Sequence, residues 1–382
     1  MHITGIICEY NPLHLGHAAQ IRRIRQEKGS DCGIVCLMSG NYVQRGAPAL
    51  IDKTVRARAA VLTGADLVLE LPVTAVLSSA EGFASRGVRI LSPFCDSLCF
   101  GAENADLTVL LGLARALLSE EYPPVLRRYL DKGLSFPAAR QAALEKLGQP
   151  AGLLMRPNNI LAVEYCKAIL AQESRMEPFP IFRQGDYHAL AADCAAPSAT
   201  SVRSRMLQGL PWEDLVPEAA VSCYRNAVLH TTEAGERAVL YRLRTMTEEE
   251  FSRLPYGSEG LWRKWMHVCR RETGLFEILD AVKSKRYPRT RLDRMLLCAV
   301  LGITEELLSA PVPYVRVLAF SSRGREILNL ARKTGNFPNI GENLPGPWQD
   351  FEIRCSDLYG LFALSSPEAP GSERKARVFC LH

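Results

Sequence analysis

Ile3-Thr4-Gly5-Ile6-Ile7-Cys8-Glu9-Tyr10-Asn11-Pro12-Leu13-His14-Leu15-Gly16-His17-Ala18-Ala19-Gln20 is the stretch that decides the fold. Residues 3–8 are apolar and read as a strand, which Asn11 and Pro12 stop; residues 16–27, rich in Ala, Gln, Arg and Ile, then read as a helix. Two histidines three apart stand at this strand-to-helix junction, with Gly16 between them leaving room for a ligand at the backbone. A helix start offers unpaired N–H groups and the positive end of the helix dipole, which suit a phosphate. Imidazole donors beside it can stabilise the charge that develops when a nucleotide's α-phosphate is attacked. The pattern points to chemistry on ATP.

Outward from this stretch, strand and helix keep alternating. Residues 32–38 form a near-continuous apolar run, as in a buried parallel strand, and end in Ser39-Gly40-Asn41. A helix is expected over 52–63, a buried strand over 67–71, a helix over 79–91 and a strand over 97–100 that stops at Gly101. This is the signature of a doubly wound, Rossmann-like α/β domain with a parallel sheet, whose ligands bind at the carboxyl ends of strands. The loops after Cys8, Met38 and Phe100 carry the unusual polar residues. Helices follow over 107–147, with breaks at Pro123-Pro124 and Pro137; Pro157-Asn158-Asn159 opens another, and 180–183 reads as a late strand.

Beyond Gly209 the pattern turns helical, over 222–230, 247–253, 261–272, 274–284 and 289–301, with a possible strand at 315–320. The 382 residues exceed one ordinary core. The expected division is a catalytic, ATP-binding domain over 1–208 and a mainly helical domain over 209–382. Met1 leads directly into the first strand and no apolar run is long enough to span a bilayer, so a cytoplasmic protein with no membrane partner is expected. The 12 cysteines are scattered singly among apolar neighbours and read as buried thiols rather than zinc ligands or disulfides.

Charge is distributed unevenly. Lys283, Lys285, Arg286, Arg289, Arg291 and Arg294 face one acid, Asp293, so this segment alone carries the +5 of the whole chain. Phosphate contacts supply most of the salt-dependent affinity for nucleic acid, and Tyr287 beside Pro288 can stack on an unpaired base. A solvated helix face is the blander reading, and RNA binding is the better one.

Three smaller elements complete the candidates. Ser198-Ala199-Thr200-Ser201-Val202-Arg203 places hydroxyls and a cation at a helix start, suited to β- and γ-phosphates or to nothing more than a capping box with a solvated arginine. Asn41 and Gln44-Arg45-Gly46 put an arginine on a loop at a strand's carboxyl end, either reaching an anion or solvated. Asp52-Lys53 reads as the cap and first turn of a helix rather than as a substrate contact.

Together, His14-x-Gly16-His17 and the Ser201/Arg203 element resemble the HIGH-type nucleotidyltransferases. There the second element takes the place of the Lys-Met-Ser-Lys-Ser loop of class I aminoacyl-tRNA synthetases, a motif this sequence lacks. Further runs narrow the resemblance: the whole of Gly5 to His17, Ser39-Gly40-Asn41-Tyr42-Val43-Gln44-Arg45-Gly46, Phe100-Gly101-Ala102-Glu103, Pro157-Asn158-Asn159-Ile160-Leu161 and Lys285-Arg286-Tyr287 are similar to the tRNA(Met) cytidine acetate ligase family. The likeness runs from Gly5 to about Arg294. It departs at Cys8, where an aliphatic residue is usual, and at Leu13, where an aromatic is usual.

The resemblance implies that ATP contacts the run from Ile7 to Gln20, Gly101, Asn158 or Asn159, and Arg183. It implies activation of acetate as acetyl-adenylate and acetyl transfer to N4 of the wobble cytidine of elongator tRNA(Met). His14 and His17 would then stabilise the reacting phosphate, while Ser201 and Arg203 hold the leaving pyrophosphate or the adenylate. Mg2+ is expected to arrive with ATP, since the sequence shows no carboxylate cluster for a dedicated metal site, and no obligate protein partner is implied. The competing expectations are another adenylyltransferase on the same fold, or a non-catalytic RNA-binding protein.

Overall fold

A computed structural model describes residues 1–183, 197–311 and 313–382. The apolar runs of the first half become strands β1 (Ile3–Cys8), β2 (Gly33–Ser39), β5 (Leu67–Leu71), β6 (Ser97–Ala102) and β7 (Glu177–Phe182) of one sheet. Two short strands, β3 (Tyr42–Val43) and β4 (Ala47–Pro48), form a separate hairpin after β2. Every residue of β2 and β5 is buried, as a strand covered on both faces requires.

The sheet order is β7-β6-β1-β2-β5-β8-β9, with β7 through β5 mutually parallel. Helix α1 (Leu15–Lys28) joins β1 to β2, and α2 (Lys53–Leu62) precedes β5. From β1 the chain builds outward through β2 and β5, then returns to place β6 and β7 on the other side. The order therefore reverses between β1 and β6, and the loops after them splay apart to leave a crevice at their carboxyl ends. His14 follows one of these strands and Gly101 ends the other.

Three prolines read as breaks are in fact starts: Pro123, Pro124 and Pro137 lie in the first turns of the helices Tyr122–Asp131 and Phe136–Lys146, where a missing N–H costs nothing. Pro157 opens the helix Pro157–Ala171, as expected. The helix expected over 222–230 lies earlier, at Glu218–Tyr224, opening after Pro217. Residue 230 instead crosses to the first half, where its N–H donates to Leu50 O at 2.9 Å.

The second half is mostly helical, with a core built on Phe251, Trp265, Leu292 and Leu296 that also receives Tyr42 and Leu77. It is not wholly helical, and the boundary at 208/209 does not partition the sheet. Strand β8 (Arg316–Ser321) pairs antiparallel with β5, and β9 (Phe379–Leu381) pairs parallel with β8. Glu70 of β5 stands opposite Arg316 of β8 in this pairing. Around them is a buried charge cluster: Lys53 Nζ lies 3.0 Å from Glu70 and 2.8 Å from Glu373, and Arg316 Nη2 lies 2.8 Å from both Glu70 and Glu352. Arg316 also bonds Glu373, Tyr314 Oη donates to Glu352, and Ser356 Oγ donates to Glu373. Burial pushes the Glu70 carboxyl up while Arg316 and Lys53 pull it back down. Each buried charge thus has opposite-charge partners, which a dry site demands. Among the described residues no helix is long and apolar enough to cross a membrane.

Candidate active site

The loop between β1 and α1 is held from beneath by Arg56, which is completely buried. Its guanidinium donates to Ile51 O at 2.7 Å, Glu9 O at 2.6 Å, Ser39 O at 3.1 Å and Gly40 O, clamping together the ends of β1 and β2. Asn11 Oδ1 accepts from Leu50 N at 2.8 Å, and Leu13 N donates to the Tyr224 hydroxyl at 3.2 Å. Tyr10, buried at 1% exposure, holds a left-handed backbone (φ 44°) that this packing sustains.

His14 is the N-cap of α1. Its Nδ1 accepts from Gly16 N at 3.1 Å, and its own backbone N–H donates to His17 Nδ1 at 3.3 Å. Both Nδ1 atoms are therefore acceptors, so in the neutral imidazoles both protons sit on Nε2. Neutrality follows from the surroundings. Burial, then the charges of Arg183 and Arg203, push His14 down to about 3; burial, then His14 and Arg183, hold His17 well below the usual imidazole range. The rings lie 3.8 Å apart between centroids. His14 Nε2 is buried and has no hydrogen-bond partner among the described residues, an orphan donor at a helix start. Gly16 is needed for a reason other than ligand approach: a Cβ there would lie 2.9 Å from His14 Cε1. The glycine makes room for the imidazole.

The second element does meet the first. Ser198 caps the helix Ala199–Gln208 in a capping box with Ser201. Arg203, one turn on, donates from Nη1 to Asn11 O at 2.7 Å and from Nη2 to Thr200 Oγ1 at 3.1 Å. The capping box is present, and Arg203 in the same turn is half-buried and bonded to Asn11 and Thr200 rather than simply solvated. Ser201 is 1% exposed and its hydroxyl donates to Ser198 O at 2.8 Å, so it serves the cap. Thr200 is half-buried, with its hydroxyl on the Arg203 guanidinium.

Arg183 N donates to Ala102 O at 2.9 Å, and a Cβ on Gly101 would lie 3.8 Å from Arg183 Cδ. The arginine stem runs beside Gly101 at the end of β6. On the neighbouring loop, Asn159 is buried and all three of its groups are engaged: N–H to Glu103, Oδ1 from Asn104 N, and Nδ2 to Leu153 O. Asn158, half-buried, donates to Glu103 Oε1 at 2.7 Å. Asn159 ties the first turn of the helix Pro157–Ala171 to the loop after β6, and Asn158 is the more exposed of the two.

The β3–β4 hairpin carries Asn41, Gln44 and Arg45. Asn41 Oδ1 accepts from Lys53 N at 2.8 Å, which places it in the frame of α2, and Arg45 is half-buried. Gln44 N donates to Glu9 Oε1 at 2.9 Å. On the other side the hairpin meets the helix Arg289–Leu301, since a Cβ on Gly46 (φ +86°) would lie 2.4 Å from Arg294 N. The hairpin joins the nucleotide-facing loop to the basic segment. Asp52 is the cap expected, with Oδ1 accepting from Thr54 N at 2.7 Å, whereas Lys53 belongs to the buried charge cluster.

The basic segment divides in two. Lys283, Lys285, Arg286 and Arg289 are exposed. Arg291 turns inward, donating to Tyr256 O at 2.7 Å, and Arg294 lies over the Tyr256 ring. Tyr287 packs against the helical core with the Arg291 guanidinium over its ring at 5.2 Å, so its face toward that core is already covered. Among the described residues, no group of three or more His, Cys, Asp or Glu side chains is arranged to hold a metal ion.

Nothing in the sequence marks Arg56 or Tyr224 as supports of this site. Arg56 is one arginine in a helical run, and only the fold shows the carbonyls converging on it.

Comparison with known proteins agrees with this geometry. Residues 1–370 match the model of the HIGH Nucleotidyl Transferase family. The tRNA(Met) cytidine acetate ligase of Clostridium perfringens (strain SM101 / Type A) is 35% identical over 387 residues, covering 94% of this chain and 95% of that protein. The enzyme of the same name from Clostridium novyi (strain NT) is 36% identical, with 94% and 95% covered. The crystal structure of Thermotoga maritima TmcAL (apo, form I) superposes with a TM-score of 0.90 at 29% identity, covering all of both chains. The same protein bound with alpha-thio ATP gives 0.88 at 29% identity, again over all of both chains. By this match the chain, with its switch-point crevice and paired imidazoles at a helix start, belongs to the tRNA(Met) cytidine acetate ligase family of HIGH nucleotidyltransferases.

Proposed function

We propose that this protein is an ATP-dependent RNA-modifying ligase that activates acetate and transfers the acetyl group to N4 of the wobble cytidine of elongator tRNA(Met). The observation that carries the reading is the neutral His14 with a buried, unpartnered Nε2–H at a helix start, flanked by the charges of Arg183 and Arg203. ATP lies in the crevice between β1 and β6, along the run from Ile7 to Gln20 and against Gly101, Asn158 and Arg183.

In the first step an acetate oxygen attacks the α-phosphorus. The new O–P bond forms as the bond to the β-phosphate oxygen breaks, and pyrophosphate leaves. His14 and His17 donate Nε2–H bonds to the equatorial oxygens, where charge accumulates. A neutral imidazole suits this task because it gives a proton bond without giving up the proton. Arg203 and Arg183 hold the pyrophosphate, with Ser201 setting the helix start behind Arg203. Mg2+ travels with the ATP phosphates.

In the second step the cytidine N4 attacks the acetyl carbonyl carbon. The C–N bond forms, the C–O bond to AMP breaks, and N4 loses a proton. Both nucleophiles come from substrates, so no side chain need be acylated. Residues 1–208 supply the chemistry and 209–382 the RNA surface, with Lys283, Lys285, Arg286 and Arg289 outermost. The reaction belongs in the cytoplasm, where ATP, acetate and tRNA meet.

Incubation with ATP, labelled acetate and unmodified tRNA(Met) tests the reading. Label should enter the RNA as N4-acetylcytidine with AMP released in equal amount. Intact tRNA that stays unlabelled would overturn it.

A further inference from the structure

The stretch from Leu261 to Arg271 is also basic, with four Arg or Lys, although its cations are interleaved with core residues and do not read as a charge run. From Leu261 to Arg271 there is no acid, and Arg263, Lys264, His267, Arg270 and Arg271 are all exposed. At about 100° per residue, Arg263, Lys264, His267 and the C-cap Arg270 fall within an arc of about 120° on one side, and Arg271 follows just past the helix. Leu261, Trp265, Met266, Val268 and Cys269 occupy the buried side. An amphipathic helix whose polar face is wholly cationic or imidazole has no stabilising partner among its own residues, since like charges three and four apart repel.

This stripe joins the basic turn. Lys264 Nζ donates to Val282 O at 3.0 Å, immediately before Lys283, and Arg286 pairs with Glu259 at 2.6 Å, just ahead of the helix. Acids nearby are Glu272, paired with Arg271 at 2.8 Å, and Glu277 and Asp280, exposed on the next helix. Arg263 and Arg270 carry no such acidic partner in the ion pairs seen, and Arg263 lies 4.6 Å over the Trp262 ring. The pieces form one cationic surface from Arg270 along the helix to the turn at Lys283–Arg289.

We infer that the exposed face of the Leu261–Cys269 helix is a phosphate-binding stripe that extends the RNA footprint of the basic turn away from the nucleotide crevice. The occupant is the sugar–phosphate backbone of the RNA substrate. Charge complementarity selects it: the stripe offers cations spaced along a line and no apolar anchor of the kind a protein interface needs. The inference rests on the RNA-substrate reading above and adds a second contact region to it. It involves no readout of bases, so it contributes affinity and orientation rather than choice of sequence.

The test measures binding of unmodified tRNA(Met) to the full chain by anisotropy between 50 and 300 mM salt. Arg263→Gln with Arg270→Gln should raise Kd about tenfold and lower the salt slope by about 1.5–2. The charge-matched control Arg115→Gln with Arg128→Gln, exposed on other helices, should change neither. Both arginines of the stripe are solvent-facing, and an unchanged melting temperature separates lost contact from lost fold. If wild type binds and acetylates the RNA while the stripe variant keeps its Kd and slope, the stripe is overturned and the turn stands alone. If wild type itself neither binds nor acetylates the RNA, the substrate reading has failed and the stripe with it.

Discussion

Arg203 donates from Nη1 to the backbone oxygen of Asn11 at 2.7 Å, across 192 residues of sequence. The bond ties the helix Ala199–Gln208 to the loop that presents His14, so the two elements keep one geometry. Replacing Arg203 with Met removes both this tether and a cation beside the leaving group. Acetate-dependent ATP–pyrophosphate exchange should fall about 10²–10³-fold, the range for losing one preorganised charge stabiliser. A loss of less than threefold would mean the arginine does not act on the phosphates.

His14 makes stability depend on pH in a definite direction. Its folded value, about 3, lies below the ordinary 6.5, so between these values the unfolded chain holds a proton that the folded chain does not. Stability from this residue is level above pH 7 and falls as pH drops toward 3, with a limiting slope of about 1.4 kcal/mol per pH unit. His14→Asn keeps a good helix cap and should flatten the fall in urea midpoint across pH 6.5–4 relative to wild type. An identical pH slope in the two proteins would show that His14 is not held neutral.

Gly46 separates the hairpin from the Arg289–Leu301 helix. A methyl group there meets Arg294 N and Asp293 C, each at 2.4 Å, in a left-handed backbone, so Gly46→Ala should cost about 1–3 kcal/mol. Because the same hairpin bonds Glu9, the variant should weaken both RNA affinity and nucleotide turnover. Urea denaturation with parallel RNA-binding titrations checks this, and unchanged stability would contradict the close approach.

Arg56 has a different vulnerability. Its acceptors are four backbone carbonyls around a fully buried guanidinium, so Arg56→Met takes away the donors that satisfy them. A loss of about 3–5 kcal/mol is expected, comparable with breaking a buried charged contact. A shift in the denaturant midpoint gives the value, and a variant as stable as wild type would show that the loops hold without the clamp.

The sequence made some of this legible for identifiable reasons. The strands at 3–8 and 67–71 were readable because burial in the sheet leaves a mostly apolar run, broken only by Thr4 and Glu70, and His14 because a cap beside a glycine has a local signature. The hairpin link from Gln44 to Glu9 and the four carbonyls on Arg56 have no local signature, since each depends on where distant loops end. β8 was only a possible strand because its first residue, Arg316, is a charge whose burial makes sense only opposite Glu70. The basic face at Leu261–Cys269 was hidden because its cations are interleaved with the core residues of the same helix.

The closing strands set an order of manufacture. A ribosome has made His14, His17, Arg183 and Arg203 once it passes residue 203, yet the sheet beneath them lacks β8 and β9 until residues 316–321 and 379–381 emerge. At about 5–20 residues per second, that interval lasts roughly ten to thirty-five seconds. Within it, Lys53 and Glu70 gain Arg316, Glu352 and Glu373 one at a time, so their charges are fully matched only near its end. The two histidines and two arginines thus precede the strands that complete the sheet supporting them.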